Sequence, residues 1–209
     1  MGMRGHLRQI TLAELQDFQR SPKTMRDAVR GKNRPNVAKM MATFERLKPV
    51  ADRARAMNLD PSEQEKVRAE ILKELAAAGG GFHDGPDENG LNLEKSWHVL
   101  HYLLTGKAED APPPLGNAIL GGHEIGGDLG YGPARFLAPD EVRGVAAALA
   151  TVSKEDLAAR FDLDAMIAMH IYPVRDDSEL EMAQHYFEHL SRYYAEAAAS
   201  GNAMLLCII

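Results

Sequence analysis

Four polar residues near the middle of the chain have side chains and spacing suited to proton transfer or ligand binding. They follow one another at intervals of four, three and four: Glu94, His98, His101 and Thr105. On an α-helix this spacing forms one stripe along a single face. If the stripe lines a pocket, His101 is the best candidate for a general base. The stripe could instead meet water, or each imidazole could be held by one buried hydrogen bond.

A glycine-rich segment at residues 121–132 carries the second group of candidates. Six of its twelve residues are glycine, and polar side chains lie within it or just after it: His123, Glu124, Asp128, Tyr131 and Arg135. Imidazole and carboxylate groups can transfer protons, and a guanidinium binds a carboxylate or phosphate. Tight turns that need a positive φ would demand the same glycines, so a purely structural interpretation stays open.

The two groups together predict one polar cleft. We expect four of its residues to be catalytic: His101, His123, Glu124 and Asp128. We expect the others to bind the ligand: Trp97, His98, Thr105, Tyr131 and Arg135. Both assignments require that the helix histidines face the glycine-rich segment across a shared hollow.

Two histidine motifs raise the question of a metal site, and we expect neither to hold one. His98 and His101 are three residues apart, but no downstream cluster supplies a clear third ligand. The run from His185 to His189 spells H-x-x-E-H, a zinc-protease pattern that needs a further ligand well downstream. Only 20 residues follow it. We therefore predict no metal and no cofactor.

The elements that must position these residues predict an α+β fold. We expect a strand over 2–10, a helix opened by the capping box of Thr11 and Glu14, and a helix over 91–105 closed by Gly106. Further expected elements are a loop at 121–132, a strand over 134–137, helices at 139–150 and after Ser153, a long helix capped by Ser178, and a buried strand at 203–209. This is a helix-rich single domain over 1–209 around a small, mostly antiparallel sheet that includes both chain ends. A helical insertion at about 35–78 and a flexible link at 79–90 interrupt it.

Composition and charge narrow the classes of partner. The net charge is −6, but residues 1–57 carry 13 Lys and Arg against 5 Asp and Glu. The basic run at 20–34 does not favour nucleic acid, because the domain as a whole is acidic and lacks a known recognition motif. No apolar run is long enough to span a bilayer, and the lone Cys207 forms no internal disulfide. We therefore expect a cytoplasmic protein, with a buried Cys207, that does not bind membranes.

Six short motifs spread over residues 1–20 and 91–209 form a specific combination. They are Met1-Gly2-Met3-x-Gly5, Leu93-Glu94-Lys95-Ser96-Trp97-x-x-Leu100-His101, Leu115-x-x-Ala118-Ile119-Leu120-Gly121-Gly122, Leu129-Gly130-Tyr131-Gly132-Pro133-Ala134-Arg135-Phe136-Leu137, Ile171-Tyr172-Pro173 and Gly201-Asn202-Ala203. This combination resembles the YfbM-like family, a bacterial family of domains of unknown function. The resemblance implies a small cytosolic α+β fold and brings no established reaction, cofactor or catalytic residue. Residues 35–90 are longer than the usual pattern of the family.

Three functional hypotheses follow from these residues. The leading one is a binding module whose polar cleft takes a small anionic ligand or a protein segment. The second is a hydrolase or transferase with His101 or His123 as base and Glu124 or Asp128 as its partner. The third is a non-catalytic interaction or immunity-type protein that acts through the basic run and the helices at 36–78. A homodimer is compatible with each of them.

Overall fold

The computed structural model describes residues 2–21, 23–25 and 90–209, together with the single positions 29, 45, 48, 63, 66 and 86. Two compact units divide the chain: Met1–Val29 with Gly85–Ile209, and Arg30–Asp84. The first unit holds the sheet and the helices around it. The expected insertion at 35–78, the link at 79–90 and the basic run at 20–34 fall largely outside the described residues.

Five antiparallel strands form one sheet in the order β2-β1-β5-β4-β3. Their bounds are Gly5–Ile10 for β1, Leu91–Asn92 for β2, His123–Asp128 for β3, Pro133–Leu137 for β4 and Ala203–Ile208 for β5. The two chain ends pair over their whole length, from Gly5 opposite Ile208 to Ile10 opposite Ala203. The expected sheet that includes both chain ends is therefore confirmed.

Seven helices accompany this sheet within the described residues. Their bounds are Leu12–Arg20 for α1, Trp97–Thr105 for α2, Leu115–Ala118 for a 3-10 turn, Pro139–Leu149 for α3, Lys154–Arg160 for α4, Leu163–Ala168 for α5 and Ser178–Ala199 for α6. Capping boxes open α1 at Thr11 and α4 at Ser153, as the sequence predicts. No helix in the described part of the chain is both long and apolar enough to cross a membrane.

The core lies on both faces of the sheet, which explains the composition of its central strand. Met204 and Leu206 of β5 pack into the cluster that includes α2, α3 and α6. Leu205 and Cys207 point to the other face, where Leu15 and Phe18 of α1 cover them. Because successive residues of a strand face opposite sides, a strand covered on both faces is apolar throughout. The predicted burial of this strand and of Cys207 is confirmed.

Three predicted elements differ from the structure. The helix expected over 91–105 begins only at Trp97, because Leu91 pairs with Leu7 of β1 and the backbone of Glu94 has a positive φ of 48°. Glu94 therefore does not share a helical stripe with the two histidines. The loop expected at 121–132 contains strand β3, which pairs with β4. The N-cap of α6 is Asp177 rather than Ser178. The backbone N–H of Ser178 donates instead to the side chain of Asp176.

Candidate functional site

A cavity of about 220 Å³ opens beside the C-terminal half of β5. Its apolar lining comes from the 3-10 turn region and from β5: Ile119, Leu120, Leu206, Cys207 and Ile208. Its polar lining comes from the chain after α2 and from the β3–β4 hairpin: Glu109, Asp110, Tyr131 and Arg135. The cavity thus combines an apolar floor with charged groups, as small-molecule sites commonly do.

Arg135 lines the cavity and is paired on one side only. It lies opposite Glu124 in the register of β3 and β4, and its Nη2 donates to Glu124 Oε1 at 3.0 Å. Its Nη1 approaches the carbonyl of Gly122 at 3.4 Å. A guanidinium has five N–H donors, so three of them have no partner among the described residues. Arg135 can therefore bind a further acceptor without leaving Glu124.

Two exposed carboxylates, Glu109 and Asp110, form the acidic wall of the cavity. Neither forms an ion pair or a side-chain hydrogen bond with any residue that the structure describes. The charge of Arg135, in contrast, is already balanced by Glu124. The lining is therefore net acidic, whereas the sequence led us to expect a cleft for a small anionic ligand or a protein segment.

The glycine-rich hairpin owes its shape to Asp128. One carboxylate oxygen of Asp128 accepts hydrogen bonds from the backbone N–H groups of Gly130 at 2.7 Å and Gly132 at 2.9 Å. Gly130 and Gly132 both have positive φ, of 123° and 98°, a region that glycine tolerates best. This turn presents Tyr131, which is 52% exposed, at the rim of the cavity. The observed contacts of Asp128 are those of a turn-forming residue.

His123 is the first residue of β3, and its side chain contacts the first turn of α3. Its Nε2 is 3.2 Å from Glu141 Oε1, and its ring packs against Phe136 with the ring centroids 5.2 Å apart. The other oxygen of Glu141 accepts from the backbone N–H of Ala138, which caps α3. His123 is exposed, and it is not among the described residues that line the cavity.

The two histidines of α2 bind backbone groups. His98 Nδ1 accepts from the N–H of Tyr172 at 2.9 Å. Its proton must therefore lie on Nε2, which donates to the carbonyl of Ala108 at 2.7 Å. His101 Nε2 donates to the next carbonyl, that of Glu109, at 2.6 Å. Both imidazoles thus hold the chain that carries the acidic wall, and neither is among the described residues that line the cavity.

Burial favours the neutral form of both of these histidines. It lowers the pKa of His98 and of His101 below the usual range, and their hydrogen bonds to Ala108 and Glu109 offset only part of this effect. His101 is 1% exposed, and its Nδ1 has no hydrogen-bond partner in the described structure. A neutral imidazole that donates to a carbonyl is suited to positioning a loop.

Thr105 and Trp97 lie at the two ends of α2. The hydroxyl of Thr105 accepts from the N–H of Lys107 at 3.1 Å and lies 2.7 Å from the carbonyl of His101. Trp97 is buried, stacks on the ring of His98 and approaches Gly5 so closely that a Cβ there would lie 2.5 Å from Trp97 Cβ. Both side chains bind to neighbouring parts of the protein, and neither lines the cavity among the residues described.

Of the nine residues proposed for the site, the structure thus brings only Tyr131 and Arg135 to the cavity. The four proposed as catalytic are distributed over α2 and the β3–β4 hairpin, and the single shared hollow is not observed in the described structure. Their acid–base roles stay predictions. The sequence reasoning missed Glu109 and Asp110, although two adjacent acids between Gly106 and a triple proline were a signal for an exposed segment.

The side chains of the H-x-x-E-H run on α6 contact α4 and one another. Glu188 forms an ion pair with Lys154, and the rings of His185 and His189 meet edge to face at 4.7 Å. Across the described residues, no group of three His, Cys, Asp or Glu side chains is arranged to hold a metal ion.

The fold is similar to that of a solved protein structure. The crystal structure of YfbM from Escherichia coli, a protein of unknown function, is 18% identical, and the match covers 99% of each chain with a TM-score of 0.58. No curated protein matches the chain. The model of the domain of unknown function DUF1877 matches residues 1–207. This match confirms the family resemblance, and the chain belongs to the DUF1877, YfbM-like family.

Proposed function

We propose that this domain is a binding module for a small zwitterion with an apolar side chain, such as a free amino acid. The ligand's ammonium group lies between the carboxylates of Glu109 and Asp110. Its carboxylate accepts from the N–H groups of Arg135 that Glu124 leaves free. Its side chain lies on the apolar floor formed by Ile119, Leu206 and Ile208.

The observation that carries this proposal is that, among the described residues, one cavity combines two carboxylates without ion-pair partners and a guanidinium with unused N–H donors. The carboxylates of Glu109 and Asp110 lack ion-pair partners within the described structure. The guanidinium of Arg135 retains three N–H donors that have no hydrogen-bond partner among the described residues. A purely anionic ligand would lie close to the unpaired acids, where like charges repel. A simple amine would leave the free donors of Arg135 unused. A zwitterion satisfies both sets of groups.

The size of the cavity supports a ligand of this class. Pockets for drug-sized molecules have volumes of roughly 300–1,000 Å³, whereas this cavity has about 220 Å³. The floor is apolar and buried, with Ile119 at 3% and Leu206 at 2% exposure. A small molecule with a branched aliphatic side chain matches both the volume and the floor.

Three matched probes test the proposal by their effect on thermal unfolding. L-leucine carries both charged groups, isoamylamine lacks the carboxylate, and isocaproate lacks the amine. A ligand that binds only the native state raises the melting temperature in a concentration-dependent way. We expect L-leucine or another apolar L-amino acid to raise it, and the two analogues to have a much smaller effect at equal concentration.

Variants of the cavity provide the control. Arg135→Gln and the double variant Glu109→Gln/Asp110→Asn should each abolish the shift caused by the amino acid. Glu196→Gln changes an exposed acid on α6 and should leave that shift unchanged. The proposal is wrong if no amino acid stabilises the protein, or if isocaproate stabilises it as much as L-leucine does.

A further inference from the structure

We infer that His98 and His101 are positioning residues for the acidic wall, and that their protonation releases residues 107–110 from α2. One consequence of this release, weaker ligand binding in mild acid, rests on the proposed function. The hydrogen bonds that carry the inference are present whatever the ligand is.

The two imidazoles bind successive carbonyls of the same segment. His98 donates to Ala108 at 2.7 Å, and His101 donates to Glu109 at 2.6 Å. The hydroxyl of Thr105 accepts from the N–H of Lys107 at 3.1 Å. One face of α2 therefore binds three consecutive residues, and the last of these, Glu109, belongs to the acidic wall of the cavity.

The 3-10 turn confines the same part of the chain from another direction. A Cβ atom on Gly116 would lie 2.1 Å from the carbonyl oxygen of Ala111, so only glycine allows this approach. The N–H of Gly116 also donates to the carbonyl of Pro112 at 3.0 Å. The end of the segment is thus fixed by the turn, and its beginning is fixed by the histidines.

Protonation adds a hydrogen at Nδ1 of each ring, because both Nε2 atoms already carry the hydrogen that they donate. A proton on His98 Nδ1 would face the N–H of Tyr172, which now donates to that nitrogen, and two donors cannot share a hydrogen bond. A proton on His101 Nδ1 would be buried without an acceptor among the described residues. The cost of burying an unpaired charge then favours release of the segment into water.

The charged groups around the pair act in opposite directions. Glu109 lies near His98 and Asp110 lies near His101, and both carboxylates favour the imidazolium form. Burial favours the neutral form and is the largest effect on the pKa of each histidine, and the charge of His98 lowers the pKa of His101 further. The pKa of each histidine is therefore lowered, so the pair takes up protons from solvent at a lower pH than a free imidazole does.

Nuclear magnetic resonance of the wild-type protein tests the inference without any variant. Long-range ¹H–¹⁵N spectra should show both imidazoles protonated at Nε2 at pH 7.5. As the pH is lowered through the titration of the imidazoles, the amide resonances of Lys107 and Tyr172 should shift together with the imidazole signals. Dominance of the Nδ1–H tautomer, or imidazole titration that leaves both amides unchanged, would overturn the inference.

A matched pair of variants separates positioning from general packing. His101→Gln places a non-titrating amide donor near the carbonyl of Glu109, whereas His101→Leu fills the site without a donor. We expect the dissociation constant of L-leucine at pH 7.5 to rise about 10-fold in His101→Leu and to stay within about 3-fold of wild type in His101→Gln. Binding by His101→Gln should also lose less affinity between pH 7.5 and 5.5. Equal effects of the two variants would contradict the inference.

The failure of each proposal can be recognised separately. If L-leucine and the other amino acids do not bind, the proposed function fails, while the tautomer and amide measurements still decide whether the histidines position the segment. If binding is observed but is independent of pH between 7.5 and 5.5, only the positioning role fails.

Discussion

The Nδ1 atom of His98 accepts a hydrogen bond from the backbone N–H of Tyr172 at 2.9 Å, across 74 residues of sequence. This contact fixes the tautomer of His98 and connects α2 to the chain that leads into α6. It also explains why a residue whose position suggested ligand binding is buried. The acceptor on Nδ1 and the donor on Nε2 are both used within the protein.

Acid should destabilise the protein through this pair. The folded-state pKa of both histidines lies below the value near 6.5 that applies to the unfolded chain. The unfolded state therefore binds more protons below pH 6.5, and the histidines' contribution to the free energy of unfolding falls as the pH falls. Above pH 6.5 this contribution is constant. Urea unfolding at pH 7.5 and 5.5 measures the change.

The variant His101→Gln provides the control for that measurement. It lacks one of the two shifted groups, so its free energy of unfolding should fall less than that of the wild type between pH 7.5 and 5.5. An equal fall in both proteins would show that other groups cause the acid sensitivity.

Removing the charge of Glu124 should strengthen ligand binding. The negative charge of Glu124, whose Oε1 accepts from Arg135 Nη2 at 3.0 Å, offsets the positive charge that attracts the ligand carboxylate. The variant Glu124→Gln should therefore lower the dissociation constant of L-leucine several-fold, as calorimetry can measure. Because the pair is exposed, stability should change by less than about 1 kcal/mol. Weaker binding in this variant would mean that the main role of Glu124 is to position Arg135.

Two glycine substitutions should affect stability in opposite directions. Gly132 has a φ of 98° and open space around it, so Gly132→Ala should destabilise through backbone strain alone, by about 1–2 kcal/mol. Gly144 lies inside α3, where the nearest atom to a new Cβ would be 4.0 Å away. Gly144→Ala should therefore stabilise by roughly 0.5–1 kcal/mol. Chemical denaturation measures the free energy of unfolding of both variants. Destabilisation by Gly144→Ala would contradict the open space that the structure shows beside Gly144.

The thiol of Cys207 should react slowly in the native protein. Burial raises its pKa to about 12, and the thiolate is the reactive form. Alkylation by iodoacetamide at pH 8 should therefore be at least about 100-fold slower in the native protein than in urea-unfolded protein, by mass spectrometry. Comparable rates in the two states would show that β5 opens readily.

Local patterns in the sequence predict the parts of this fold that depend on neighbouring residues. The capping box of Thr11 and Glu14 is complete within one helical turn, and the start of α1 was predicted from it. Strand β5 was predicted because a wholly apolar run suits a strand covered on both faces. The start of α2 was not predicted correctly, because Leu91 joins the sheet by pairing with Leu7, which is distant in sequence.

The candidate site was predicted only in part for a related reason. Arg135 and Tyr131 stand out by residue type next to a glycine-rich hairpin. The histidines stand out in the same way, but their partners are the carbonyls of Ala108 and Glu109. Backbone acceptors are present at every residue, so no pattern of side chains reveals which of them an imidazole binds.

The most direct test of the binding proposal follows the Nε–H resonance of Arg135 by ¹H–¹⁵N nuclear magnetic resonance while L-leucine is added. The account predicts a saturable shift of this resonance with L-leucine and none with isoamylamine, which lacks the carboxylate. A resonance that stays unchanged while L-leucine reaches millimolar concentration would contradict the account.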